Sequence, residues 1–129
     1  MEVLSSRVLL RSHDLAKTTA FYADVLGLAI YRTFPGGTVF FLGQGFLEVS
    51  GQGEPDAGGN AGIWLQVRNL AATLAELAAR GLTPDRPARR EPWGLDEAWI
   101  SDPDGTRIVL VEIPADHPLR TDVRPPSGA

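Results

Sequence analysis

The chain has 129 residues, of which 43% are hydrophobic and 22% charged; it has a formal net charge of −4 and no cysteine. That is the composition of an ordinary soluble globular domain, long enough to bury its own core, and it excludes disulfides, cysteine-built zinc sites and thiol nucleophiles. The negative balance opposes nucleic acid as a partner, since phosphate binding needs a basic surface, and no apolar run approaches the ~20 residues that span a bilayer.

The first residues, "MEVLSS", show no basic-then-apolar leader, so a cytoplasmic location is expected. "RVLLR" reads as a strand with Val8 and Leu10 on one face and Arg7, Leu9 and Arg11 on the other. Asp14 is placed to cap a helix whose stripe is Leu15, Thr18, Tyr22, Val25 and Leu26, and Gly27 to end it in a left-handed turn. Three strands follow, "LAIYRTF", "TVFFL" and "FLEVS", separated by "PGG" and "GQG" turns. The glycine-rich segment 51–60 is a linker.

After it the pattern starts again. "GIWLQV" is a strand with Ile63, Leu65 and Val67 opposed to Gly62, Trp64 and Gln66, and Asn69 caps a helix striped by Leu70, Leu74, Leu77 and Ala78 and stopped by Gly81. "LTPDRPARR", "EAWIS" and "RIVLVE" are the next strands, with "DPDG" the turn between the last two. The basic run "RPARR" is expected to be a solvated strand end. Residues 113–129 form a proline-rich tail, expected to be partly disordered.

Each half therefore reads β-α-β-β-β, over 3–50 and over 61–112. A four-stranded sheet with one helix is too small a core to persist. Two of them make a single α+β domain over 1–112: a curved eight-stranded mixed sheet with helices on its convex face and a concave trough. Strand alternation turns Leu9, Phe46, Trp64, Trp99 and Val109 into the trough, puts Glu97 on the face of Trp99, and leaves Trp93 near the mouth. An apolar, tryptophan-bearing cleft with a few polar groups suits a small-molecule ligand; the alternative is that Trp64 and Trp99 are plain core. His13 and His117 fall outside the trough strands, and neither a nucleophile elbow nor a phosphate-binding loop occurs.

With "DLAKTTAFYADVLGL" opening the first half and "ISDPDGTRIVLVE" closing the second, the chain resembles the vicinal oxygen chelate superfamily of glyoxalases, extradiol dioxygenases and bleomycin-resistance proteins. The resemblance implies a divalent metal held at four corners, one on the first and one on the last strand of each half. Here those corners are Arg7, Glu48, Gly62 and Val109. Glu48 alone could ligate a metal, so no metal is expected. Arg7 and Glu48 are expected to form an ion pair instead, which either anchors the polar end of a ligand or merely satisfies itself.

"NAGIWLQVRN" looks like the bleomycin-resistance branch. That likeness implies a metal-free homodimer sequestering an aromatic or cationic compound, and aromatic faces do attract cations. The alternative is a lyase, isomerase or dioxygenase of the same superfamily using Zn, Ni, Mn or Fe through altered ligands. Homodimerisation would also protect the open edges expected at the first and fifth strands.

Overall fold

The computed structural model describes residues 1–53 and 61–118. Most of the expected linker and the expected disordered end of the tail lie outside the described residues.

The element order is β1 (Arg7–Arg11), α1 (Leu15–Ala20), β2 (Ile30–Phe34), β3 (Gly37–Leu42), β4 (Gly45–Ser50), β5 (Gly62–Gln66), α2 (Leu70–Ala79), β6 (Arg86–Arg90), β7 (Asp96–Ser101) and β8 (Arg107–Glu112). The eight strands divide into two four-stranded mixed sheets, ordered β1-β4-β3-β2 and β5-β8-β7-β6. In each the first strand runs parallel to the last and the other pairs are antiparallel.

The caps behave as chemistry requires. Asp14 accepts a hydrogen bond from the Lys17 amide at 3.2 Å, and Asn69 accepts from the Ala72 amide at 2.9 Å, satisfying donors that the first helical turn leaves free. Gly27 and Gly81 close the two helices with φ of +70° and +87°. The first helix departs from expectation past Ala20: Phe21–Val25 form a π-helical turn in which the Leu26 amide donates to the Phe21 carbonyl at 2.9 Å. The wider turn takes in an extra residue. Adjacent Phe21 and Tyr22 are both buried there, with rings edge to face at 5.2 Å. In α2 the stripe is narrower than expected, because Leu70 and Leu77 are buried but Ala78 is exposed.

The repeat holds in register. Leu9 stands opposite Glu48 in the first half, and Trp64 stands opposite Val109 in the second. Both sheets also carry a register shift at the corresponding place, between Ile30 and Arg32 and between Arg86 and Arg89. Pro87 has no N–H to give a ladder, and it sits in β6 at a sheet edge where none is needed.

One hydrophobic cluster joins the halves. Phe40, Leu47 and Val49 of the first sheet and Ile63, Ala98, Ile100, Ile108 and Leu110 of the second pack with Phe21, Tyr22, Leu70 and Leu77. Polar bonds cross between halves beside it: Tyr22 to Asp102 at 2.7 Å, and Thr18 to Asp104 at 3.0 Å. Asp102 also accepts the amides of Asp104 and Thr106, each at 2.9 Å, and so shapes the "DPDG" turn. The other side chains of each strand, by alternation, form the trough faces. No helix among the described residues is long and apolar enough to cross a membrane.

Candidate functional site

The trough face of the first sheet carries the expected ion pair. Arg7 Nη1 lies 2.9 Å from Glu48 Oε1, with the side chains 38% and 24% exposed. The pair forms because alternation puts Arg7 and Glu48 on one face of neighbouring strands, two residues out of direct register. The Arg7 guanidinium also lies 5.7 Å from the Phe46 ring centre. Phe46 belongs to an aromatic patch, packed 4.8 Å from Tyr31 and 5.7 Å from Phe41. Tyr31 and Phe41 were not singled out in the sequence. Phe41 had a readable signal, since it alternates with Val39; Tyr31 sits at the β2 irregularity, where simple alternation fails.

The trough face of the second sheet is built around Trp99. Arg86 and Arg107, from the two flanking strands, hold their guanidiniums 4.1 and 4.3 Å from its ring centre. Trp93 Nε1 donates to Glu97 Oε2 at 2.7 Å, which satisfies a carboxylate that is otherwise buried. Arg86 Nη2 donates to the Glu97 carbonyl at 3.0 Å and pairs with Glu91 at 2.5 Å, and Arg89 reaches Glu91 at 3.2 Å. The "RPARR" run is therefore only partly the solvated strand end expected of it: Arg86 is drawn inward by Trp99 and Glu91. Burial pushes the Glu91 carboxyl up, but hydrogen bonds from Arg89 and Arg86 outweigh it and hold the group below its ordinary range.

Three donors on this wall have no acceptor among the described residues: Trp99 Nε1 and Arg86 Nε and Nη1, all buried. Trp64 and Trp93 present open surface, at 50% and 58% exposure. His117 Nε2 sits 3.0 Å from the Trp93 carbonyl oxygen, so the start of the tail packs on the loop before β7. His13 is exposed and uses its backbone amide on Asp104.

The candidate residues thus fall into two groups. Arg7, Leu9, Phe46 and Glu48 share the first sheet, while Trp64, Trp93, Glu97, Trp99 and Val109 belong to the second or its loop. The ion pairs and ring contacts of each group stay within its own sheet.

The four corner positions do not fit a divalent metal. Arg7 is a cation without a lone pair, Gly62 has no side chain and Val109 is a hydrocarbon. Glu48 is the one oxygen donor, and Arg7 already engages it. Among the described residues, no three His, Cys, Asp or Glu side chains gather as a metal site.

Residues 5–110 match the family model described as the glyoxalase/bleomycin resistance protein/dioxygenase superfamily. No curated protein matches the chain. Among solved structures it is similar to a glyoxalase/bleomycin resistance protein/dioxygenase from Nocardioides, at 18% identity and TM-score 0.76 over 92% of this chain and 89% of that one. It is similar to a superfamily member from Sphaerobacter thermophilus DSM 20745, at 24% identity and TM-score 0.69 over 86% and 98%. A lactoylglutathione lyase from Agrobacterium tumefaciens aligns at 20% identity and TM-score 0.68 over 87% and 94%. At these identities the likeness is one of fold.

Proposed function

Because the chain belongs to the glyoxalase/bleomycin resistance protein/dioxygenase superfamily, we propose that it is a metal-free member which binds an aromatic small molecule in its trough and works as a homodimer. The observation that carries this reading is the Arg7–Glu48 ion pair at two of the four metal corners, with a hydrogen (Gly62) and a hydrocarbon (Val109) at the other two. A guanidinium 2.9 Å from the one carboxylate competes with a metal for its oxygen and repels the cation, and no other corner supplies a ligand.

The open indoles of Trp64 and Trp93 and the Tyr31–Phe41–Phe46 patch offer flat apolar surface to a planar ligand. The wall around Trp99 argues for an aromatic ligand over a cationic one. Arg86 and Arg107 already lie over that ring, and the spare groups nearby are donors that seek an acceptor. For the dimer, β1 and β5 both lie at sheet edges, and Leu9 and Trp64 on them are 66% and 50% exposed.

Titration calorimetry tests the reading. Zn²⁺ and Ni²⁺ are expected to give no stoichiometric heat, and a panel of planar aromatic compounds is expected to quench tryptophan emission in wild type but far less in Trp64→Ala. One-per-site binding of either metal would overturn it.

A further inference from the structure

We propose a second binding site, apart from the trough residues named above, that takes an oxyanion-bearing aromatic molecule such as an aryl carboxylate. A cavity of about 470 Å³ opens at the end of the first sheet, where Arg11, Leu15, Phe34, Ser50 and Gln52 surround it. That volume lies in the range of small-molecule sites.

Its polar half is cationic and unspent. Among the described residues, Arg11 makes no ion pair, and the side chains of Ser50 and Gln52 make no hydrogen bond. Arg11 supplies a planar fork suited to a carboxylate, and the Ser50 hydroxyl and Gln52 amide supply further donors. Its apolar half is Leu15 and the Phe34 ring. A second guanidinium, that of Arg32, lies 5.9 Å from the Phe34 ring centre and adds positive charge beside the cavity. Cation and flat apolar surface together select a negative charge on an aromatic body.

The segment that carries Gln52 is built to hold a costly shape. Gln52 has a φ of +68°, which a side chain with a Cβ adopts reluctantly. Backbone bonds fix it on both sides: Ser12 N donates to Ser50 O at 2.6 Å, and Gly53 N donates to Ser12 O at 3.0 Å. At Gly53 an added Cβ would lie 2.0 Å from the Arg11 carbonyl oxygen, so glycine alone permits the close approach of the two backbones. A glycine at position 52 would relieve the strain, yet the chain keeps a long amide there, next to the cavity.

The test uses the full chain, ¹⁵N-labelled, titrated with 2-naphthoate and separately with 2-naphthylmethylammonium. Naphthoate is expected to shift the amides of Gly36, Ser50, Gly51 and Gln52 saturably, and the ammonium compound to leave them in place. Arg11 is exposed, so Arg11→Ala is expected to fold as wild type and weaken naphthoate binding by about tenfold or more, the value of a charge-assisted contact. Gln52→Gly is expected to raise the melting temperature and weaken binding together. Unmoved amides, equal binding by Arg11→Ala, or equal response to the ammonium compound would each overturn the site. The three indole N–H signals report the trough in the same spectra: if they alone respond, this site falls and the trough reading stands, and if the pocket amides alone respond, the reverse holds.

Discussion

Tyr22, in the π-helical turn of the first half, donates its phenolic hydrogen to Asp102 Oδ2 of the second half at 2.7 Å, and both residues are buried. Burial first, and then the Asp102 carboxylate, raise the Tyr22 pKa above its ordinary value. The unfolded chain begins to lose this proton near pH 10, while the folded chain keeps it. Stability is therefore whole below about pH 10 and falls above it, by up to about 1.4 kcal/mol per pH unit from this one group. Tyr22→Phe is expected to lose about 1.5–3 kcal/mol at neutral pH, as a hydrogen bond to a charged acceptor goes, and to show a shallower alkaline decline. Urea unfolding from pH 7 to 11 on both proteins measures the difference; parallel curves would refute the account.

Glu91 works at the acid end. Its carboxylate, nearly out of solvent, accepts from Arg86 and Arg89 and is held below its ordinary range. The unfolded chain takes up this proton at higher pH than the folded one, so the contribution is present at neutral pH and drains away as pH falls below about 4.5. Glu91→Gln is expected to be less stable than wild type at pH 7 and to converge with it at low pH. Melting temperatures across pH 3–7 give the result, and a constant gap would count against it.

Much of this architecture was legible because it is written twice. Caps Asp14 and Asn69, stops Gly27 and Gly81, and the alternation of Arg7 with Leu9 and of Trp64 with Gly62 are local signals, and local signals survive into the fold. What was hidden depended on tertiary partners that no local pattern names. The π-helical turn trades regular helix geometry for the joint burial of Phe21 and Tyr22 against the other half. Arg86 looked like one more surface cation until Trp99 and Glu91, on the strand and loop that follow, drew it inward. The Arg11 cavity was invisible for the same reason: it forms where three separate stretches meet, and none of them carries a motif.

The tight seam between β1 and the segment after β4 gives a steric prediction. A Cβ at Gly53 would meet the Arg11 carbonyl oxygen at 2.0 Å and carbon at 2.5 Å, both backbone atoms that cannot turn aside. One at Gly51 would meet Leu15 at 3.7 Å, an ordinary contact. Gly53→Ala is expected to cost about 1–3 kcal/mol and Gly51→Ala within about 0.5 kcal/mol, as for an uncrowded surface change. Thermal melts of the two variants decide it, with equal losses the contrary outcome.

The last prediction concerns association. Leu9 is 66% exposed on β1, an edge strand, and strand alternation sets Arg7 and Arg11 on the same face on either side of it. An apolar side chain left open at a sheet edge gains by being covered, and a second copy of this chain can cover it. Leu9→Glu separates association from folding: at 66% exposure the new carboxylate would stay in water in the single chain, with Arg7 and Arg11 on its face offsetting its repulsion from Glu48 opposite, while it would oppose burial in an interface. Sedimentation velocity at micromolar concentration is expected to show wild type at twice the chain mass and Leu9→Glu at the chain mass, both with the same far-ultraviolet spectrum. Wild type sedimenting as one chain would remove the dimer from the proposed function and leave each trough wall to act alone.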